Sequence, residues 1–387
     1  MQLSVIILNY NVRYFLELCV LSVQSALTNI ESEIIVVDNN STDGSVEMMK
    51  MRFPTIKLIE NNENLGFPKG NNKGVAQAKG NYVCILNPDT VVAEDTFLKV
   101  LSFAERQKNV GIIGVKLIDG SGNFLPESKR GVPTPWVAFT KMTALYKLFP
   151  NSRVFNQYYA QHVAQDKTAE VSILVGAFMV LKRDLYIELK GFDEDCFMYS
   201  DDIDLSYRAL LLGKSNYYFA DTTVIHYKGE STIKDLVYRT RFEEAMTYFY
   251  KKHFKTAIFL LRFMKLGAFL FSFVKKNQGQ AFVKEKPEQY LLYASTDELV
   301  NKLQTKLQKK VTFDVFDTEK MVISSKIKSK LPTEILFDNA SVSFKEIIFG
   351  LHSMRSRGLS FKIIPRNSAF LIGSNDSNGR GTVIKID

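Results

Sequence analysis

The chain has 387 residues, of which 50 are Lys or Arg and 41 Asp or Glu, giving a formal net charge of +9. That length is enough for two domains of ordinary size. Apolar and charged fractions of 46% and 24% exclude a disordered or low-complexity chain and fit a folded globular one. Such a basic balance suits an anionic partner: nucleic acid, a membrane surface or a phosphorylated substrate.

Cys19, Cys84 and Cys196 are scattered, odd in number and show no CxxC or Cys/His spacing. They read as buried reduced thiols, as in a cytosolic protein. Met1 leads straight into a strand-like run with no basic segment before it, so no signal peptide is predicted.

The first stretch alternates short β-branched runs with longer helical patterns. Leu3–Leu8 reads as a buried strand and Arg13–Leu27 as a helix. Glu33–Asp38 is a second strand, followed by a helix over Asp43–Phe53 with Ser41 and Thr42 as candidate caps. Thr55–Glu60 is a third strand, Lys69–Lys79 a helix and Tyr82–Leu86 a fourth strand. This alternation predicts βαβ units and a mostly parallel α/β sheet covered on both faces.

From Gly111 to about Pro150 the pattern is looser and Pro-containing, the mark of a substrate loop. Val171–Leu181 is strongly apolar. Helices are predicted over Asp201–Leu212 and Lys234–Phe254. Thr256–Val274 is apolar and aromatic but carries Arg262 and Lys265, so it reads as an in-plane interfacial helix or as one packed on protein. Beyond about Gln280 the chain reads as a small separate α/β domain. Its strands are expected at Gln289–Ala294, Thr333–Phe337, Ser360–Ile364 and Ala369–Ile372, its helices at Thr296–Gln308 and Ser343–Arg357. Gly373–Gly381 reads as a polar loop.

Ligands of parallel sheets bind beyond the carboxyl ends of the strands. The residues there are Asn9-Tyr10-Asn11, Asp38-Asn39-Asn40, Asn61-Asn62-Glu63-Asn64 and Asn87-Pro88-Asp89. Asn and Asp are common in turns, but four such ends on one edge favour a site for a polar ligand. Gly-rich phosphate motifs are missing: no GxGxxG follows a strand, and Gly213-Lys214-Ser215 lacks the upstream Gly of a P-loop. Gly66, Gly70 and Gly74 give one small helix face, for close packing on the sheet or approach to a diphosphate.

Three acidic or imidazole positions carry the chemistry. Asp89 follows a buried strand and is a turn residue or a hard-oxygen ligand for Mg²⁺ or Mn²⁺. Asp201 and Asp202 open a helix, where one acid would suffice as a cap. Their crowding raises the pKa of one member, which suits a general base. His226 ends an apolar β-branched run, again at a strand-end position.

These residues resemble the family 2 inverting glycosyltransferases, especially the rhamnosyltransferase-like branch. The carriers are VIILNYN (Val5–Asn11), VVDNNSTDGS (Val36–Ser45), NNENLGFPKGNNKG (Asn61–Gly74), LNPDT (Leu86–Thr90), VGAFMVLKR (Val175–Arg183), GFDEDCFMYSDDIDLSYR (Gly191–Arg208) and HYKGEST (His226–Thr232). They occur in family order over roughly the first 254 residues.

The resemblance implies a GT-A fold over residues 1–254 and a nucleoside-diphosphate sugar donor of dTDP-rhamnose or UDP-sugar type. It implies donor contacts at Asn9, Tyr10, Asp38, Asn40, Asn71 and Asn87, with Asp38 at the base or ribose. Asp89 matches the metal-binding aspartate, His226 a position that completes the shell of Mg²⁺ or Mn²⁺, and Asp202 the general base. Asn87 replaces the first acid of the common DxD form, and Asp201 stands where Glu is more usual.

The expected acceptor is a hydroxyl of a lipid-linked or oligosaccharide glycan in surface polysaccharide synthesis, and no nucleic acid partner is expected. The expected location is the bacterial cytoplasm, peripheral on the inner membrane face, with residues 255–280 as the contact and an oligomer possible. Residues 281–387 lie outside the resemblance. Arg130, Lys228 and Arg208 either add positive field near phosphate or are surface and structural cations. The rival readings are a sugar nucleotidyltransferase, which needs a Gly-rich loop where Asn9–Arg13 stands, and a non-catalytic basic module binding membrane or nucleic acid.

Overall fold

The computed structural model describes residues 1–134, 136–137, 140, 148, 154–196, 199–228, 236–254, 286–318, 331–355, 359–375 and 381–386. The predicted helix over 256–274, and most of the predicted loop after residue 375, lie outside the described residues. Among the described residues no helix is long and apolar enough to cross a membrane.

The first sheet opens with β1 (Leu3–Asn9), β2 (Ser32–Asp38), β3 (Lys57–Glu60) and β4 (Tyr82–Leu86). They lie in the order β3-β2-β1-β4, all parallel. Between them run α1 (Arg13–Ala26), α2 (Ser45–Arg52) and α3 (Gly66–Val75). β1 and β4 are buried along their whole length because helices cover both faces of the sheet. Val5, Ile7, Val36, Cys84 and Leu86 face the core beneath α1 and α2, and Ile6, Leu8, Ile35, Val37, Val83 and Ile85 face the core beneath α3.

The sheet continues with β6 (Val110–Ile118), β8 (Phe178–Lys182) and β9 (Ser215–His226), in the order β4-β8-β6-β9. β8 runs antiparallel to both β4 and β6, whereas β6 and β9 are parallel. The carboxyl ends of β1, β2, β3, β4, β6 and β9 therefore share one edge with the amino end of β8. The short strand β5 (Thr90–Val91) turns back and pairs antiparallel with the end of β9, and β7 (Ala169–Glu170) pairs near its start. Three helices complete this layer: α4 (Thr96–Arg106), α5 (Arg183–Glu188) and α6 (Asp201–Leu211). A further helix, α7 (Leu236–His253), packs Phe249 and Tyr250 against Ile173 and Ile203.

Strand β6 falls where the sequence pattern suggested only a loose segment from Gly111 onward. The physical reason is local: Gly111 and Gly114 interrupt the β-branched run, although all nine residues of β6 are buried. At Gly114 a Cβ would lie 2.6 Å from Leu174 Cδ2, so the glycine is required by the crossing chain. Helix α3 begins at Gly66 rather than Lys69, because Asn64 Oδ1 accepts from the Gly66 N–H at 3.0 Å and starts it early.

The small face of α3 packs as the glycine spacing implies. A Cβ at Gly70 would stand 2.4 Å from Leu8 Cδ1, and one at Gly74 2.5 Å from Ile6 Cγ2. Only the absence of side chains lets the helix lie this close to β1.

A second sheet follows: β10 (Gln289–Tyr293), β11 (Lys310–Asp314), β12 (Thr333–Asp338), β13 (Leu359–Ile364), β14 (Phe370–Gly373) and β15 (Thr382–Lys385), ordered β11-β10-β12-β13-β14-β15. Helices α8 (Glu298–Leu307) and α9 (Phe344–Met354) belong to it. β11 and β15 were not expected. Both are edge strands with charged or polar residues outward, and such strands carry a weak apolar signal.

One continuous apolar cluster joins the two sheets, with Ile335, Phe337, Phe344, Leu351, Phe361 and Ile372 in the same core as Val5 and Phe15. Polar contacts reinforce it. Glu94 accepts from the N–H groups of Phe344 and Lys345, both at 2.8 Å, at the start of α9. The buried carboxylate of Glu17 pairs with Arg52 and accepts from Ser368 Oγ at 2.9 Å.

Candidate active site at the carboxyl edge of the first sheet

Four Asn-rich strand ends meet on this edge and divide into three structural types. Asn11 and Asn40 have φ of +56° and +64°, the left-handed region that Asn tolerates better than other side-chain-bearing residues. They form turns and, with Tyr10, lie exposed at the rim. Asn39, Asn61 and Asn64 bond one another: Asn61 Nδ2 donates to Asn39 Oδ1 at 2.8 Å, and Asn39 Nδ2 to Asn64 Oδ1 at 3.2 Å. This ladder anchors the loop before α3.

Asn9 and Asn71 differ. Asn9 Nδ2 donates to Asp38 Oδ1 at 2.7 Å and Ser41 Oγ at 3.0 Å, while Asn9 Oδ1 is buried with no donor. Asn71 Nδ2 donates to the Phe67 carbonyl at 2.9 Å, and Asn71 Oδ1 is likewise buried without a partner. Asp38 is committed inward on both oxygens, since Oδ2 accepts from the Ser41 N–H at 2.8 Å. A carboxylate keeps further lone pairs, so Asp38 both fixes the loop and retains acceptor capacity. Sequence reading gave Ser41 only a capping role, yet it joins β1 to the loop after β2.

The Asp89 corner is built by β5 and β9. Pairing of Thr90 with His226 brings the Asp89 carbonyl to the Tyr227 N–H at 2.9 Å. His226 Nε2 then stands 3.4 Å from Asp89 Oδ1 and 3.3 Å from Asn87 Nδ2. All three side chains converge, as their sequence positions suggested. Asp89 Oδ1 and His226 Nδ1 are buried and have no hydrogen-bond partner among the described residues. Buried polar atoms are nearly always paired in native proteins, so such orphans point to a missing ligand, ion or water. Among the described residues no group of three His, Cys, Asp or Glu side chains forms a cation cage. The corner fits a cation that takes few ligands from protein and the rest from phosphate and water.

Across β4 and β8 lies the acidic pair. Asn87 N–H donates to the Ala177 carbonyl at 3.0 Å, and the preceding residue, Gly176, donates its N–H to Asp202 Oδ2 at 3.0 Å. The Asp89 corner and Asp202 are thus fastened to the same ledge of backbone. Arg130 Nη2 donates to Asp202 Oδ2 at 2.6 Å and to the Leu174 carbonyl at 3.1 Å. Asp202 Oδ1 is likewise buried with no partner among the described residues.

Beside it, burial and the neighbouring Asp202 charge push the Asp201 carboxyl up to about 8. The crowding therefore raises Asp201, whereas Asp202 has a cation. Arg130, read from the sequence as a cation near phosphate or a surface or structural one, pairs with Asp202, and nothing in the sequence singled out the Gly176 N–H. Lys228 pairs with Glu127, and Arg208 with Asp204 at 2.7 Å and with the carbonyls of Leu189 and Gly191. Arg208 is structural.

Residues 4–190 match the family model described as Glycosyl transferase family 2. That segment belongs to the family. The chain's mixed, mostly parallel first sheet is the GT-A type expected from the sequence. The glycosyltransferase is 26% identical over 222 residues to the N-acetylglucosaminyl-diphospho-decaprenol L-rhamnosyltransferase of Mycobacterium tuberculosis, covering 54% of this chain and 71% of that one. It is 24% identical over 171 residues to the rhamnosyltransferase WbbL of Escherichia coli K12, covering 42% and 61%. Among solved structures it is similar to the mannosyltransferase PcManGT from Pyrobaculum calidifontis in complex with GDP-Man and Mn²⁺. There the TM-score is 0.47 and the identity 19%, over 72% of this chain and 76% of that one.

Proposed function

We propose that this glycosyltransferase moves a sugar, with inversion, from a nucleoside-diphosphate sugar to a hydroxyl of a lipid-linked glycan in surface polysaccharide synthesis. The observation that carries the reading is the set of buried acceptors without a donor among the described residues: Asn9 Oδ1, Asp89 Oδ1 and Asp202 Oδ1 at the ligand edge, and Asn71 Oδ1 on α3. A fold with no ligand for that edge would leave each of them unpaired at a cost of about 1–3 kcal/mol. The similarity to two rhamnosyltransferases favours a deoxyhexose donor such as dTDP-rhamnose, with UDP-sugars next.

In this reading Asn9, Tyr10, Asp38, Asn40, Asn71 and Asn87 bind the donor. Asp89 and His226 hold Mg²⁺ or Mn²⁺. When bound, such a cation supplies Lewis-acid stabilisation of the leaving diphosphate. Asp202 accepts the proton of the acceptor hydroxyl. The new bond joins that oxygen to the anomeric carbon, the bond from that carbon to the diphosphate oxygen breaks, and the nucleoside diphosphate departs with the electron pair. A positioned base contributes about 10²–10⁴-fold. Contact with a membrane, through residues 255–280 and the basic surface, would bring the enzyme to its acceptor.

The test is a panel of sugar nucleotides with a bacterial lipid extract as acceptor, following nucleoside-diphosphate release with and without Mn²⁺. Expected are turnover with one donor, a product of opposite anomeric configuration, and loss of transfer but not of donor binding in Asp202→Asn. Absence of turnover with every donor, alongside tight vesicle or nucleic-acid binding, would instead favour a non-catalytic module.

A further inference from the structure

Asp201 and Asp202 are adjacent, both buried, and both at the first turn of α6. Chain position does not decide which one serves as base. Their surroundings differ in one respect. On Asp202, Oδ2 takes both the Arg130 guanidinium and the Gly176 N–H, and Oδ1 takes nothing from the described residues. Asp201 has its hydrogen bonds from the peptide groups of Tyr199 and of Asp201 itself, and feels Arg130 only at a distance.

The other neighbours do not compete. Phe67 of α3 is apolar and lies against Gly176, and Ser206 Oγ accepts from the Leu174 N–H. Tyr158 and Glu127 act on Arg130 rather than on the pair. Asp204, on the same helix, is occupied by Arg208, Lys252 and His253.

We propose that Arg130 is the positioning residue that makes Asp202, and not Asp201, the proton acceptor. It locks Oδ2, leaves Oδ1 as the one oxygen of that carboxylate without a donor, and balances the Asp202 charge so that the proton of the pair resides on Asp201. The proposal rests on the reading of Asp202 as the base. The upward displacement of Asp201, caused first by burial and then by Asp202, is the expected companion of this arrangement. Two carboxylates this close titrate as a coupled pair, and a cation on one of them breaks the symmetry.

The experiment uses the full chain labelled with ¹³C at the Asp side-chain carboxyl. Asp201→Asn and Asp202→Asn assign the two signals. In the wild type the Asp201 signal titrates well above the ordinary carboxylate range. In Arg130→Met the two transitions converge, and the ascending limb of kcat/KM moves up by about 1–3 pH units, the span an opposite charge within reach typically commands. The donor KM stays unchanged.

Arg130→Lys keeps a charge and serves if the Met variant does not fold; it restores the separation and most of the limb, and added guanidinium does the same for Arg130→Met. A merely structural arginine would leave the limb and the separation in place in any folded variant, which would overturn the proposal while sparing Asp202 as base. Retained turnover in Asp202→Asn would overturn the base reading itself, whatever the titration of the Arg130 variants.

Discussion

His226 Nε2 stands 3.4 Å from Asp89 Oδ1, although one residue ends the last strand of the first sheet and the other follows its fourth. The antiparallel pairing of β5 with β9 is what brings them together. If this pair holds the divalent ion, both residues govern metal demand, and by different amounts. Asp89→Asn removes the charge and is expected to lower kcat by about 10²–10³-fold, as for loss of a main electrostatic group at a leaving site. His226→Ala leaves that carboxylate and should raise the Mn²⁺ concentration for half-maximal rate by roughly 10–100-fold. Mn²⁺ titrations of nucleoside-diphosphate release, with the electron paramagnetic resonance of bound Mn²⁺ as a second readout, check both. Unchanged metal curves in the two variants would remove the ion from this corner.

Asp201 predicts a pH dependence of stability. Burial and the Asp202 charge raise its pKa from the ordinary 3.8 to about 8, so the folded state keeps a proton that the unfolded state has lost. Stability from this group is complete below about pH 4 and disappears as pH rises through about 8. Asp201→Asn, which cannot ionise, is therefore expected to gain on the wild type as pH rises. Thermal unfolding at about pH 5 and about pH 8 measures it. A Tm difference that stays flat or shrinks with pH would contradict a protonated Asp201.

The glycine face of α3 predicts an order of damage. Replacing a helical Gly by Ala gains about 1 kcal/mol of propensity. Against this, overpacking costs about 1–3 kcal/mol. At Gly74 the new methyl meets Ile6 Cγ2 at 2.5 Å and Val37 Cγ2 at 3.0 Å, two β-branched side chains with little rotamer freedom. At Gly70 it meets the end of the more adaptable Leu8, with Asn39 Oδ1 at 3.3 Å. Gly74→Ala should be the more destabilising in urea unfolding, and Gly70→Ala the more harmful to donor binding, because it presses on the Asn39 ladder.

Contacts between the two sheets predict a contrast between a carboxylate bound to backbone amides and a surface ion pair. Glu94→Ala strips two amides at the start of α9 of their acceptor, a loss of about 1–2 kcal/mol by analogy with helix caps. Lys345→Ala removes only a surface ion pair with Asp95, worth about 0–1 kcal/mol. Comparison of the two by urea unfolding suffices; equal effects would mean that the Glu94 bonds contribute nothing.

Much of the first sheet was legible because buried parallel strands are apolar on both faces, and because polar strand ends stand out against them. Leu3–Leu8 and Tyr82–Leu86 were found to within a residue for this reason. The same logic brought Asn9, Asp38, Asp89 and His226 to one edge. It overcounted Asn, since Asn39, Asn61 and Asn64 spend their amides on one another. What the sequence could not reveal were couplings across long separations and through backbone. The cation on Asp202 comes from a loop far upstream, and Gly176 contributes a peptide N–H that no side-chain pattern announces. Strand β6 was hidden by its own glycines, which read as breakers and prove to be clearance for Leu174.

The reversed direction of β8 has one more effect. Because this strand opposes both flanking strands, it delivers its opening residues to the ligand edge, and main chain there grips Asp202. Half of that grip is consequently written in backbone, which codon changes other than those to proline leave in place. The other half hangs on a single guanidinium, so inherited variation in the strength of this acid–base group has essentially one address.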